Sequence, residues 1–223
     1  MHIIVNNAGV LRDTSFSKQT PEQWDIVLKV HLYGTRNICK AAWPLMNKQK
    51  YGRIVNVTSV NGLYGQFGQS NYSSAKLGIV GFTKTLALEG AKKDIKVNVI
   101  APGAGTAMTA TVMPKNIVDA WKPELVCPIV AFLSHEECPC TGSIFESGGG
   151  WVAMVKLKRT QGHYFDVDAT YGPEEIKANF SKITDWTGSD FPDDTAQDMN
   201  PMNNKQLKQI IAKLTAKKPA AKL

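Results

Sequence analysis

Residues 52–103 read GRIVNVTSVNGLYGQFGQSNYSSAKLGIVGFTKTLALEGAKKDIKVNVIAPG. Gly52-Arg-Ile-Val-Asn-Val-Thr58 is a short run of apolar and β-branched residues and reads as a strand. Ile95-Lys-Val-Asn-Val-Ile100 is a second such run, ended by Ala-Pro-Gly. Between them, Asn71 to Glu89 is long enough for about five helical turns. A strand, a helix and a second strand in that order form a crossover unit. Its strands therefore lie parallel in one sheet.

The same alternation extends outward. His2-Ile-Ile-Val-Asn reads as a buried strand running into a turn. Thr20-Pro21-Glu22 is a helix start: a cap, proline in the first turn, then an acid. That helix continues through Trp24, Ile26, Val27 and Val30 to Met46. Ile129 to Leu133 belongs to a later helix. Gly142-Ser-Ile-Phe-Glu146 is a last short strand before Gly148-Gly-Gly150. The expected fold is α/β, an open, doubly wound parallel sheet. Ligands of such sheets sit beyond the carboxyl ends of the strands. Asn6–Gly9, Ser59 and Pro102–Gly103 all follow strand ends, so they converge on one crevice.

With 223 residues the chain can bury a core of its own, and 43% apolar content is ordinary for a globular protein. No apolar run approaches the roughly 20 residues of a membrane helix, and no secretory signal pattern is visible at the N-terminus. Four cysteines are too few and too scattered for a disulfide framework, and Cys138-Pro-Cys140 lacks a second ligand pair for a metal. Asn56-Val-Thr58 and Asn71-Tyr-Ser73 read as glycosylation sequons, expected to be inert without a signal peptide. The net charge of +7 is spread along the chain, not gathered in a nucleic-acid stripe.

Chemistry is concentrated in Tyr72-Ser-Ser-Ala-Lys76, with Ser59 thirteen residues upstream. A Tyr and a Lys four apart share one face of a helix, though such pairs also arise on solvated faces. A phenol with a pKa of about 10 is a poor base. A lysine ammonium one turn away is expected to lower that pKa. Ser59, delivered by a strand end, can then hold a substrate oxygen. The three make a proton relay for hydride exchange at a carbonyl carbon.

Asn6-Asn7-Ala8-Gly9, Ser59, Tyr72-x-x-x-Lys76 and Pro102-Gly103 also occur in the order and spacing of the short-chain dehydrogenases/reductases, a family this chain resembles. The resemblance sharpens to one branch, the dehydrogenase part of the peroxisomal multifunctional enzymes of type 2. It is carried by Asn7-Ala-Gly-Val-Leu-Arg-Asp13, residues 43–52 (WPLMNKQKYG), 62–72 (GLYGQFGQSNY) and 108–114 (MTATVMP), and runs from about His2 to about Trp186. It implies oxidation of (3R)-3-hydroxyacyl-CoA with NAD in the peroxisome, and a homodimer packed through helices at 21–47 and 71–90. The spread positive charge reads as a solvated basic surface; the other reading is attraction of the anionic coenzyme A substrate.

The resemblance also assigns roles. Tyr72 is the acid/base, Lys76 tunes it and holds the nicotinamide ribose, and Ser59 binds the substrate oxygen, with Thr58 the neighbouring alternative. Asn6, Ala8 and Gly9 line the adenine side; Pro102, Gly103 and Thr106 lie near the nicotinamide. His31 stands where most of the family has a catalytic Asn. Relatives begin with a strand, a glycine-rich turn and a helix, and G-x-G-x-x-G does not occur here. The chain is therefore expected to open at the fourth of seven strands, with an apolar edge exposed.

Residues 1–150 are expected to form the dehydrogenase core and 151–186 its C-terminal extension, with a helix at Pro173–Phe180. Residues 187–223 would hold a linker, a helix bearing Leu207, Ile210, Ile211 and Leu214, and a basic tail. The terminal Ala221-Lys222-Leu223 resembles a peroxisomal tripeptide, which makes the import receptor a partner. Two other functions stand beside the leading one: a peroxisomal reductase for a steroid or another carbonyl compound, and a non-catalytic fragment that associates with intact subunits.

Overall fold

The structure is a computed structural model that describes residues 1–106, 109–111, 114–166 and 170–192. It divides into two compact units, the first spanning Met1–Val155 and the second beginning at Lys156.

In the first unit, strands β1 (Ile3–Asn6), β2 (Gly52–Val57), β3 (Ile95–Gly103) and β4 (Ile144–Gly148) lie parallel in sequential order. The alternation of strands and helices predicts a wholly parallel sheet ending near Glu146. Instead a fifth strand, β5 (Trp151–Val155), returns antiparallel along β4. Gly149 and Gly150 make this turn at φ 58° and 84°, a left-handed geometry that suits glycine.

Between β1 and β2 run α1 (Pro21–Leu28), a π-helical turn (Lys29–Tyr33) and α2 (Gly34–Gln49). Thr20 caps α1 in a reciprocal box with Gln23, with Pro21 in the first turn. Between β2 and β3 lie the short α3 (Val60–Tyr64) and the long α4 (Ser70–Gly90). Along α4 the residues Tyr72, Ala75, Lys76, Ile79, Val80, Thr83 and Ala87 are buried, a helical stripe turned toward the sheet. The β3–β4 connection contains α5 (Lys115–Ala120) and α6 (Cys127–Ser134).

Strand alternation divides the core into two layers. Ile54, Ile95 and Val97 pack with Cys39, Ala42 and Met46 of α2 and Ala87 of α4. Val55, Val57 and Ile100 point the other way, toward Val126 and Leu133 beside and within α6. The β3–β4 connection thus crosses the opposite face from the two before it, which makes the sheet doubly wound. On β1 only Ile4 is buried, while Ile3 and Val5 remain exposed.

Both sequon asparagines are buried and hydrogen-bonded: Asn56 donates to Thr83 at 2.9 Å and Asn71 to the carbonyls of Arg12 and Gln23 at 3.2 and 3.0 Å. Neither side chain can accept a glycan in the folded chain.

In the described part of the second unit, residues 159 and 190 are tied together. Arg159 and Asp190 exchange backbone hydrogen bonds at 2.9 and 3.0 Å, and their side chains pair at 2.9 Å. Between them stand α7 (Pro173–Ala178) and α8 (Phe180–Ile183). Lys158 lies 5.6 Å from the Trp186 ring centroid and 5.7 Å from that of Phe191. The expected helix around Leu207–Leu214 and the terminal tripeptide lie outside the described residues.

Candidate active site

Ser59 leaves the carboxyl end of β2 and serves as the N-cap of α3, its Oγ accepting the Asn61 N–H at 3.2 Å. Tyr72 and Lys76 come from the first and second turns of α4 and are buried against the sheet. The phenol of Tyr72 is within hydrogen-bonding reach of Ser59. The neighbouring Thr58 is buried, and its hydroxyl is spent on the Lys76 carbonyl at 2.7 Å. The Thr58 hydroxyl is thus committed elsewhere, whereas that of Ser59 acts on the Tyr72 phenol.

The electrostatics differ from expectation. The sequence reading has Lys76 lowering the Tyr72 pKa. In the structure that pKa is raised: burial disfavours the phenolate most, the Ser59 hydrogen bond partly offsets this, and the Asp13 charge raises it further. Lys76 does not counter the burial. Its ammonium donates to the Val57 carbonyl at 2.8 Å and lies 5.5 Å from the Tyr72 ring centroid. Burial also lowers its own pKa to about 8, so it is a weak cation in the alkaline range.

His31 sits in the π-helical turn, 2% exposed, its ring edge-on to Tyr72 at 5.1 Å. Such turns recur at functional sites. Nε2 meets both the N–H and the carbonyl of Val10, at 3.1 and 2.8 Å. Nδ1 is buried and has no hydrogen-bond partner among the described residues. Burial and the Lys76 charge lower the ring's pKa to about 4, while the Val10 hydrogen bond opposes them. The ring is therefore neutral at pH 7. A β-carbon on Gly9 would lie 2.5 Å from His31 Cε1, so the loop after β1 can close on the ring only with glycine there.

This burial predicts an acid limit to stability. The unfolded chain binds a proton at His31 near pH 6.5, but the folded chain resists until about 4. The contribution is full above pH 6.5 and is lost as pH falls through that window. It amounts to about 3 kcal/mol. Urea unfolding at pH 7 and 4.5 should show the wild type losing that much more than His31→Asn. Equal losses would remove His31 as the cause.

The remaining expected residues are placed as follows. Asn6 is committed to a polar ladder: its Nδ2 donates to Asn56 Oδ1 at 2.8 Å and approaches Cys39 Sγ at 3.3 Å. Through these bonds its side chain ties β1 to β2. Ala8 and Gly9 are exposed beyond β1. Pro102 and Gly103 close β3, half-buried. A β-carbon on Gly103 would meet the Trp121 ring at 2.9 Å. Thr106 is exposed and exchanges hydrogen bonds with Thr109 at 2.7 and 3.3 Å, which caps the following turn. Ser59, Tyr72, Lys76 and His31 are brought together; Thr106 has a local role.

Sequence reasoning missed Asp13, Gln69 and Asn61. Gln69 donates to Asp13 at 2.6 Å, and Asn61 donates to Gln69 at 2.8 Å. These bonds join separate loops, and no local pattern announces them.

The family described as short chain dehydrogenase matches residues 1–119, more than half of the chain. The chain belongs to the short-chain dehydrogenase family. It is 48% identical over 191 residues to the peroxisomal multifunctional enzyme type 2 of Mus musculus, covering 85% of this chain and 26% of that protein. It is 49% identical over 183 residues to the peroxisomal hydratase-dehydrogenase-epimerase of Neurospora crassa, covering 81% and 20%. The solved full-length peroxisomal multifunctional enzyme type 2 of Drosophila melanogaster superposes with a TM-score of 0.82 at 37% identity, over 94% of this chain and 38% of that one. The chain thus spans about a fifth to a quarter of the length of these two curated relatives.

As a short-chain dehydrogenase the chain is of an oxidoreductase family that binds NAD or NADP. The fit to such a cofactor is partial. Lys76 has spent one of its three donors and keeps others for a ribose. The unpartnered Nδ1 of His31 offers a further polar contact beside it. These 223 residues contain no G-x-G-x-x-G turn of the kind that receives a pyrophosphate.

Proposed function

We propose that this short-chain dehydrogenase domain oxidises (3R)-3-hydroxyacyl-CoA to 3-ketoacyl-CoA in peroxisomal fatty-acid breakdown, with NAD as hydride acceptor. The observation that carries the reading is the convergence of Ser59, Tyr72 and Lys76 at the end of β2. The substrate class and compartment are supported by the names of the relatives. Ser59 holds the 3-oxygen, and the Tyr72 phenolate takes the hydroxyl proton as the bond to oxygen becomes a carbonyl. The cofactor, when bound, supplies the acceptor for the hydride leaving C3. Lys76 and His31 hold the ribose side of the crevice, and Ala8, Gly9, Pro102 and Gly103 border it.

The test is turnover of the (3R) and (3S) 3-hydroxyacyl-CoA esters with NAD and with NADP, against a hydroxysteroid. Activity restricted to the (3R) ester with NAD supports the proposal. Preference for the steroid would replace it with the carbonyl-reductase reading.

The homodimer belongs to the same proposal. Ile38 and Leu45 of α2 and Leu77 and Leu88 of α4 are exposed on helices that relatives are expected to pair. A groove of about 230 Å³ between these helices is lined by Cys39, Trp43, Phe82 and Leu86. Phe82 lies about 15 Å along α4 from Tyr72 by helical rise, so the groove suits a second subunit better than the reacting atoms. A monomer by sedimentation at micromolar concentration would remove this part. Import through Ala221-Lys222-Leu223 would be lost on deleting the tripeptide, read by loss of peroxisomal targeting.

A further inference from the structure

We propose that Cys138 and Cys140 close into a reversible intramolecular disulfide on reaction with a low-molecular-weight disulfide, which makes the turn between α6 and β4 a thiol modification site.

Cys138-Pro139-Cys140 offers too few ligands for a metal, but folding brings its two thiols together. The sulfurs stand 3.9 Å apart. The turn is already folded back on itself, because Cys138 Sγ also reaches the Cys140 carbonyl at 3.5 Å. A disulfide holds its sulfurs about 2 Å apart. Rotation of the two thiols about their Cα–Cβ bonds is the motion that closes the rest.

The surroundings hold the turn in this shape. Arg53 donates to the carbonyls of His135 and Glu136 at 3.1 and 3.0 Å, and Lys96 donates to that of Cys138. Asn98 donates to the Cys140 carbonyl at 3.0 Å and accepts the Ser143 N–H at 3.1 Å. The Gly142 N–H bonds to the Val97 carbonyl at 2.8 Å. Strands β2 and β3 thus fix the chain before, within and after the cysteine pair. Closing the ring then loses little further conformational entropy, because folding has already ordered these residues.

The two thiols differ in access. Cys138 is 0% exposed and packs with Val57, Ile100 and Leu133 in the core. Cys140 is half-buried, and Pro139 between them is exposed, so solvent reaches the pair from the Cys140 side. Burial and the neighbouring Cys138 sulfur raise the Cys140 pKa, so the attacking thiolate is scarce at neutral pH and the reaction is slow there.

The chemistry runs in two steps. The Cys140 thiolate attacks one sulfur of a reagent R–S–S–R, forms a mixed disulfide and releases one thiol. Cys138 then attacks the Cys140 sulfur from the buried side and expels the second thiol. Two protein thiols are oxidised, one small disulfide is reduced, and both protein protons leave on the two RSH molecules. The other cysteines provide contrasts. Cys127 is exposed, and Cys39 is buried with its pKa raised to about 11. Neither has a second cysteine sulfur beside it among the described residues.

The experiment uses the full chain carrying Cys127→Ser, incubated with 2-hydroxyethyl disulfide at about pH 9, near the ordinary thiol range. Mass spectrometry of the whole chain and of its peptides reads the product, and circular dichroism confirms that the chain stays folded. The expected result is a loss of about 2 Da with no retained adduct, placed within residues 138–140 and reversed by dithiothreitol. In the same background Cys138→Ala should instead retain the adduct on Cys140. Cys140→Ala should react at least about 10-fold more slowly, since only the buried thiol is left. The proposal is overturned if the folded Cys127→Ser chain keeps a stable adduct on Cys140 or fails to react there, or if Cys140→Ala reacts as fast as its parent. The first measurement leaves the turn unaltered, so it decides the matter even where Cys138→Ala does not fold. It reads no turnover and is independent of the proposed substrate.

Discussion

Replacing Arg53 with Met should lower the unfolding free energy by about 3–5 kcal/mol. The side chain is 1% exposed near the start of a buried strand, yet all five of its donors are used. Nε donates to the His135 carbonyl at 3.1 Å. Nη1 donates to the carbonyls of Gly52 and Asp94 at 2.9 and 2.7 Å, and Nη2 to the Glu136 carbonyl at 3.0 Å and Asp94 Oδ2 at 3.2 Å. The guanidinium also lies 4.3 Å from the Tyr51 ring centroid. One planar group thus gathers the carbonyls that follow α6, the turn before β3 and the start of β2. Methionine would fill the volume and leave those carbonyls without a partner.

The ion pair with Asp94 is the smaller share, because that carboxylate is half-exposed and screened by water. Asp94→Asn should therefore cost no more than about 1 kcal/mol. Arg53→Lys keeps the charge but cannot fork to four carbonyls, and should fall between the two. Urea unfolding of the three variants decides the matter. If Asp94→Asn costs as much as Arg53→Met, the ion pair and not the carbonyl clamp holds this end of the sheet.

Arg53 also shows where sequence reasoning stops. In Gly52–Val57 a lone arginine looks like an interruption of an apolar strand, and nothing local names the carbonyls from residues more than 40 positions away. The strand itself was legible, because β-branched residues and bounding turns act locally. So were the capped start at Thr20 and the helical face shared by Tyr72 and Lys76. The strand β5 was hidden for the opposite reason. Gly148-Gly-Gly150 reads as the end of structure, and only pairing with β4 turns two of those glycines into a hairpin.

At the site, spacing along the chain was enough to bring Ser59, Tyr72 and Lys76 to one strand end. It could not give the sign of the Tyr72 shift, because that sign is decided by burial. Lys76 one turn away was expected to act as an ammonium on Tyr72; buried and bonded to Val57, it is a weaker cation. The side-chain partners of Asn6 were hidden for the same reason. Its partners Asn56 and Cys39 become neighbours only when β1 pairs with β2 and α2 packs across them.

Tyr72→Phe should reduce kcat by about 10²–10⁴-fold while KM moves little. The ring packs against Val27 and Ala75 and meets His31 edge-on, contacts that phenylalanine preserves. Only the hydroxyl is lost, and with it the group that Ser59 faces. The raised Tyr72 pKa adds a direction. Oxidation needs the phenolate, so its rate should climb with pH through the alkaline range, whereas reduction needs the phenol and should fall there. Lys76, with its own pKa lowered to about 8, loses charge over part of the same range, so its effect must be separated. Lys76→Met should steepen KM for the cofactor and leave the opposite slopes of the two directions in place. A Tyr72→Phe enzyme that keeps more than a tenth of its turnover would place the proton elsewhere. His31 would be the next candidate, since its neutral ring has an unpartnered nitrogen 5.1 Å, centroid to centroid, from the tyrosine.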